Sequence, residues 1–174
     1  MDLNSTVSAQ RLHIGFFGTV NSGKSSLVNA LTGQELSIVS DTRGTTTDPV
    51  QKAMELLPLG PVVIIDTPGL DDGTELGRLR IERTMQMLRK TDIAVIVTDA
   101  SEKDEETESF IEIVKEKGIP VIFVRNKCDL DDTDADGSDV LFVSAKTGKN
   151  IDELKRRIAA SIPAVRAEKR IVSD

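Results

Sequence analysis

The chain has no tryptophan and no tyrosine, a single cysteine and a single histidine. A lone thiol, Cys128, closes no internal disulfide and supplies no zinc or iron–sulfur site held by this chain alone. Positive charge is also short: 22 Lys and Arg face 29 Asp and Glu, for a net charge of −7. That balance argues against a nucleic-acid partner and against a polybasic membrane anchor. No apolar run approaches the ~18 residues that cross a bilayer. The opening "MDLNSTVSAQ" lacks the basic-then-apolar order of a signal peptide. These absences lead to the expectation of a cytoplasmic protein that works away from membranes.

The 174 residues are 39% apolar. That is enough for one domain with a core of Val, Ile and Leu. Residues 1–10 are small and polar, a frayed lead-in. "RLHIGFFG" (11–18) reads as a strand, and "KSSLVNALTG" (24–33) as a helix stopped by Gly33. Residues 34–49 are a loop. "VQKAMELL" and "PVVIID" form two strands about a Pro/Gly turn, hence an antiparallel pair. Another glycine-bearing loop covers 67–77, followed by a helix over 78–90. Then come a strand (92–100), a helix (105–118), strands (119–126 and 139–145) and a helix (150–162) that Pro163 ends. The expected organisation is a domain over 11–162 and a linker over 163–174. Strands alternating with helices imply an α/β fold, a mostly parallel six-stranded sheet with one antiparallel edge and helices on both faces.

Each loop of interest follows a strand, where such sheets bind ligands. "GTVNSGKSSLVNAL" (18–31) meets G-x-x-x-x-G-K-[ST] at Gly18, Gly23, Lys24 and Ser25. The glycines let the backbone N–H groups of Thr19, Val20, Asn21, Ser22 and Gly23 converge on one phosphate. The helix start at Lys24, Ser25 and Ser26 adds its positive end. Lys24 supplies a point charge to the terminal phosphates and serves catalysis; Ser25 offers an oxygen to magnesium. In "DTPG" (66–69), Asp66 would hold magnesium through water and Gly69 would donate its N–H to the terminal phosphate. In "DTRGTTTDP" (41–49), Thr46 is the chosen magnesium ligand, with Thr45 and Thr47 as rivals.

"NKCD" (126–129) chooses the base. The Asp129 carboxylate accepts from guanine's N1–H and amine, a donor pair that adenine lacks. Asn126 can reach N7 and tie the loops together, and the stem of Lys127 lies along the base. "SAK" (144–146; Ser144, Ala145, Lys146) would bring the Ala145 N–H near guanine O6. His13, in the first strand, is assigned a structural role, and Cys128 none.

In this order the five stretches resemble the motifs of translation-factor-class P-loop GTPases with a Ras-like fold. The segment "SDTRGTTTDPVQKAMELLPLGPVVIIDTPGLDDGTELG" (40–77) is most similar to the FeFe-hydrogenase maturation GTPases, the HydF family. It resembles them more closely than Era, or MnmE with its "GTTRD". The resemblance implies binding of GTP and GDP, hydrolysis with magnesium, and a switch acting on hydrogenase maturation partners. Full members of that family add a dimerisation domain, which leaves a homodimer open, and an iron–sulfur domain whose ligands do not follow Asp174. No iron–sulfur cluster is therefore expected here. Leu70 stands where many Ras-like enzymes carry a water-orienting glutamine, which implies slow hydrolysis. Asn21 sits as in potassium-activated relatives such as MnmE, so potassium is the expected catalytic cation; Arg43 is the rival, as an arginine finger from the same chain. The remaining alternatives are a regulatory module whose hydrolysis is incidental, and a ribosome- or tRNA-modification-type GTPase.

Overall fold

A computed structural model describes residues 11–18, 22–33, 50–56, 59–66, 75–98, 105–127 and 139–173. Their elements are β1 (Leu12–Gly18), α1 (Lys24–Thr32), β2 (Val50–Leu56), β3 (Gly60–Asp66), α2 (Glu75–Arg89), β4 (Ile93–Thr98), α3 (Glu105–Glu116), β5 (Val121–Arg125), β6 (Val140–Phe142) and α4 (Ile151–Ser173).

The inner strands carry unbroken apolar runs because both of their faces are covered. Ile14, Phe16 and Phe17 of β1 and Ile93 to Val97 of β4 are fully buried. The sheet order is β2-β3-β1-β4-β5-β6. Every pairing is parallel except β2 with β3, as expected for two strands joined by a tight turn. Leu27, Val28 and Leu31 of α1 and Leu154 and Ile158 of α4 share one core cluster with Ile14, Phe16 and Ile64. Leu88 of α2 and Phe110 and Val114 of α3 join Phe17 and Ile96 in a second. Two helices therefore cover each face. The parallel register sets the carboxyl ends of the inner strands in one row: Phe16 lies beside Asp66, Gly18 beside Val97, and Thr98 beside Arg125. Strand order reverses at β1, so the crevice for a ligand opens at that row.

Several boundaries differ from the sequence reading, three of them for a physical reason that the structure shows. The last helix does not end at Pro163 but runs to Ser173, with the proline inside it. An interior proline costs ~3 kcal/mol. Beyond it, however, Val165 is buried in the α1/α4 core, and Ile162 packs partly against the same cluster. Burying such side chains contributes ~1.5–3 kcal/mol each, which offsets the proline. Helix α2 begins at Glu75, three residues before the expected start, and takes Gly77 into its first turn. A glycine there costs only ~1 kcal/mol, so it does not stop the helix. Strand β6 is shorter than 139–145 because the chain turns at Ser144, which pairs with Lys149. Gly33 does end α1, in the left-handed region at φ 67°, donating its N–H to Asn29 O at 2.9 Å.

Candidate functional site

The groove is built where β1, β3 and β5 end. Gly23 leads into α1 at φ 76°, ψ 25°, a backbone that only glycine adopts cheaply. A Cβ there would also strike Asn126 Nδ2, and one on Gly18 would strike the Val97 carbonyl. Both glycines of the motif are thus required by close approach. Leu27 N–H donates to Gly23 O at 2.9 Å, so the N–H groups of Lys24, Ser25 and Ser26 precede the first helical hydrogen bond.

The helix start and the end of β3 meet through charge. Lys24 Nζ lies 3.3 Å from Asp66 Oδ1, with side chains only 7% and 19% exposed. Ser25 Oγ donates to Asp66 Oδ2 at 2.9 Å. Oδ1 is buried and accepts no hydrogen bond, so its charge faces the lysine ammonium alone among the described groups.

These donors fit magnesium. Ser25 Oγ and the Asp66 carboxylate are hard oxygens held 2.9 Å apart, so Ser25 would hold the ion directly and Asp66 through water. Among the described residues no group of three His, Cys, Asp or Glu could hold a metal. A magnesium ion here would therefore need the oxygens of a bound phosphate, which is its usual coordination.

At the other end of the groove, one buried side chain joins three loops. Asn126 is 3% exposed. Its Nδ2 donates to Ser22 O at 3.0 Å and to Gly23 O at 3.2 Å. Its Oδ1 accepts the Ala145 N–H at 3.1 Å. The bracing expected of Asn126 is thus observed, and both of its donors point at protein carbonyls. Lys127 follows at φ 63°, a left-handed turn that ends the strand direction sharply.

Sequence reasoning stopped at Lys146, but the loop beyond it shapes the site. Buried Ser144 accepts from Thr147 N–H through Oγ (3.2 Å) and from Gly148 N–H through its carbonyl (2.9 Å), and it donates to Lys149 O (3.1 Å). Asn150, at φ 60°, donates Nδ2 to Phe142 O at 2.8 Å. The signal was present in "TGKN", where Gly and Asn favour left-handed turn positions.

Of the residues singled out in the sequence, Gly18, Ser22, Gly23, Lys24, Ser25, Ser26, Asp66, Asn126, Lys127, Ser144, Ala145 and Lys146 are described. The contacts above bring Lys24, Ser25 and Asp66 together, and Ser22, Gly23, Asn126 and Ala145. Thr19, Val20, Asn21, Thr45, Thr46, Gly69 and Asp129 lie outside the described residues, as do Arg43, Leu70 and Cys128. His13 lies in β1, away from the groove; its backbone N–H donates to Asp92 Oδ2 at 2.8 Å, in keeping with a structural role. No described helix is long and apolar enough to cross a membrane.

A family model described as 50S ribosome-binding GTPase matches residues 13–127. The tRNA modification GTPase MnmE of Laribacter hongkongensis is 35% identical over 157 residues, covering 87% of this chain and 35% of that protein. GTPase Der of Wolinella succinogenes is 35% identical over 167 residues, covering 84% of this chain and 35% of that protein. This chain thus spans about 35% of the length of these curated relatives. Among solved structures, an Aquifex aeolicus Era variant bound to GDP.AlF4- aligns with a TM-score of 0.69 at 28% identity, over 85% of this chain and 56% of that one. Era in complex with MgGDPNP and nucleotides of 16S ribosomal RNA aligns equally well, with a TM-score of 0.69 at 28% identity, over 85% and 55% of the two chains. The RNA in that complex weighs against excluding nucleic acid from net charge alone.

Proposed function

Because this chain belongs to the 50S ribosome-binding GTPase family and shares the Ras-like P-loop fold of Era, we propose that it is a magnesium-dependent GTP switch. The observation that carries this reading is the Lys24–Asp66–Ser25 contact at a helix start, beside a strand end braced to it through Asn126. Lys24 would neutralise charge that develops between the β- and γ-phosphates during hydrolysis. Ser25 and Thr46 would hold magnesium directly and Asp66 through water, and the bound ion would supply charge neutralisation at the phosphates. Gly69 would donate its N–H to the γ-phosphate, and Asp129 and Lys127 would receive the guanine; the Ala145 N–H, which here donates to Asn126 Oδ1, would have to leave that acceptor to reach O6. With Leu70 following Gly69, turnover is slow and relies on a cation held by Asn21, for which potassium is the proposed ion.

The experiment is a base swap. Asp129→Asn should weaken GTP and favour xanthosine triphosphate, whose base presents an acceptor where guanine has its amine. Unchanged GTP affinity would contradict the base assignment. Potassium should speed hydrolysis over sodium at equal ionic strength, with the advantage lost in Asn21→Ala; equal rates with collapse in Arg43→Ala would make the arginine the catalytic cation.

We further infer, from the resemblance of residues 40–77, a role in maturation of FeFe hydrogenase. Comparing GTP, GDP and a non-hydrolysable analogue in a maturation assay tests it, and equal effects would make hydrolysis incidental. The second reading is a tRNA-modification-type GTPase, favoured by the 35% identity to MnmE across 87% of the chain.

A further inference from the structure

The two edges of the sheet are built differently. At one edge, β6 is only three residues long, and Asn150 Nδ2 donates to the Phe142 carbonyl at 2.8 Å. That edge offers little backbone to another chain. At the other edge, β2 runs unbroken for seven residues, paired with β3 from Val50 opposite Asp66 to Leu56 opposite Gly60. The strand has no proline, and Gln51, Ala53 and Glu55 are exposed. Arg11 Nη1 donates to Met54 O at 3.0 Å, but Arg11 leads into β1, on the far side of β3, and so does not stand on the outer edge. Among the described residues no strand other than β3 pairs with β2. A long, regular edge of this kind is a template for a further strand.

We propose that this edge pairs with the same edge of a second copy of the chain, in an antiparallel register centred on Ala53. A two-fold antiparallel pair must set one residue opposite its own copy, because a strand turns the N–H and C=O of alternate residues to each side. Centred on Lys52, the pairing places like charges opposite each other, which is unfavourable. Centred on Met54, it reaches only from Lys52 to Leu56 and sets a charged residue opposite an apolar one. Centred on Ala53, it uses all seven residues: Val50 meets Leu56, Gln51 meets Glu55 and Lys52 meets Met54. The exposed Gln51 amide of each copy then has the exposed Glu55 carboxylate of the other as its acceptor, twice across the axis. Ala53, the smallest side chain of the strand, lies on the axis itself. The edge is complementary to itself in this register, and that is the reason to seat a second copy on it. One strand pair makes a small interface, so the dimer forms reversibly and with concentration.

The test is sedimentation equilibrium of the 174-residue chain over a wide range of concentration. A reversible monomer–dimer equilibrium is expected. A monomer at every concentration overturns the proposal and leaves the edge to a strand of another protein. Gln51→Glu sets like charges opposite each other twice and should weaken the dimer at least ~fivefold, while Gln51→Lys should tighten it by a similar factor. Both changes fall on an exposed position, so a dimer formed through another surface would respond to neither; equal dimer affinity in the parent and the two variants overturns the assignment. The register is read by cross-linking in a Cys128→Ser background under mild oxidation. Ala53→Cys should form a disulfide with its own copy, since residues opposite each other in a strand pair lie within disulfide reach. Glu55→Cys should not link to its own copy, but should link to Gln51→Cys when the two are mixed. Self-linking of Glu55→Cys without that of Ala53→Cys contradicts the register centred on Ala53.

Discussion

The phosphate end of the groove and its base end hold their side chains by different means. At the phosphate end, Lys24, Ser25 and Asp66 are joined by an ion pair and a hydrogen bond to a carboxylate. At the base end, Asn126 joins Ser22, Gly23 and Ala145 by neutral hydrogen bonds, and Ser144 closes its own loop in the same way. A buried charge is costly to leave without its counter-charge, so the phosphate end is sensitive to any ligand that competes for Lys24. A neutral amide with both donors placed is costly to disturb, so it keeps its partners. The base end is therefore a fixed frame, and the phosphate end is the part that responds.

The largest expected effect lies at the responsive end. Lys24→Ala should lower single-turnover GTP hydrolysis at saturating GTP by roughly 10²–10³, the usual cost of removing one donor aimed at developing charge. Turnover equal to the parent would leave Lys24 as a structural cation only. The frame should answer differently. Asn126→Ala should destabilise the nucleotide-free protein by ~2–4 kcal/mol in urea unfolding, because it strips several buried hydrogen bonds at ~1 kcal/mol each and leaves partners unsatisfied. Gly23→Ala should cost ~1–2 kcal/mol from its left-handed backbone. It should also be non-additive with Asn126→Ala, since the added Cβ meets the same amide. If the two losses simply sum, Gly23 and Asn126 are not one unit.

The smallest effect belongs outside both ends. Arg156 pairs with Glu153 at 3.0 Å but is 72% exposed. Arg156→Ala should shift stability by under ~0.5 kcal/mol and leave nucleotide affinity unchanged. A larger change would mean that α4 takes part in the site.

Much of this was legible in the sequence, for reasons that can be stated residue by residue. "DIAVIVTDA" reads as a buried parallel strand because both faces of β4 are covered. Gly33 marks the end of α1 because the left-handed cap needs it. The phosphate motif places Lys24 and Ser25 because its spacing mirrors a strand–turn–helix geometry that the fold supplies. What was not legible depends on contacts distant in sequence. The motif foretold that Asn126 ties loops together but not its acceptors, Ser22 and Gly23, which lie 104 and 103 positions away. The ion pair between Lys24 and Asp66 is equally non-local. Helix α4 passes Pro163 because Val165 is buried on a distant core, and local propensity carries no knowledge of that. The loop from Thr147 to Asn150 did carry turn signals, but its place beside the base end follows only from the pairing of Ser144 with Lys149.

The account stands most directly on one measurement: equilibrium affinities of the purified chain for GTP and ATP, each with magnesium and with EDTA. A fixed base frame and a magnesium-dependent phosphate end predict tight GTP binding in magnesium. They predict ATP at least ~100-fold weaker, as for sites that read hydrogen-bonding groups on a base, and a large loss of GTP affinity in EDTA. Equal affinity for the two nucleotides, or GTP binding indifferent to magnesium, would contradict it.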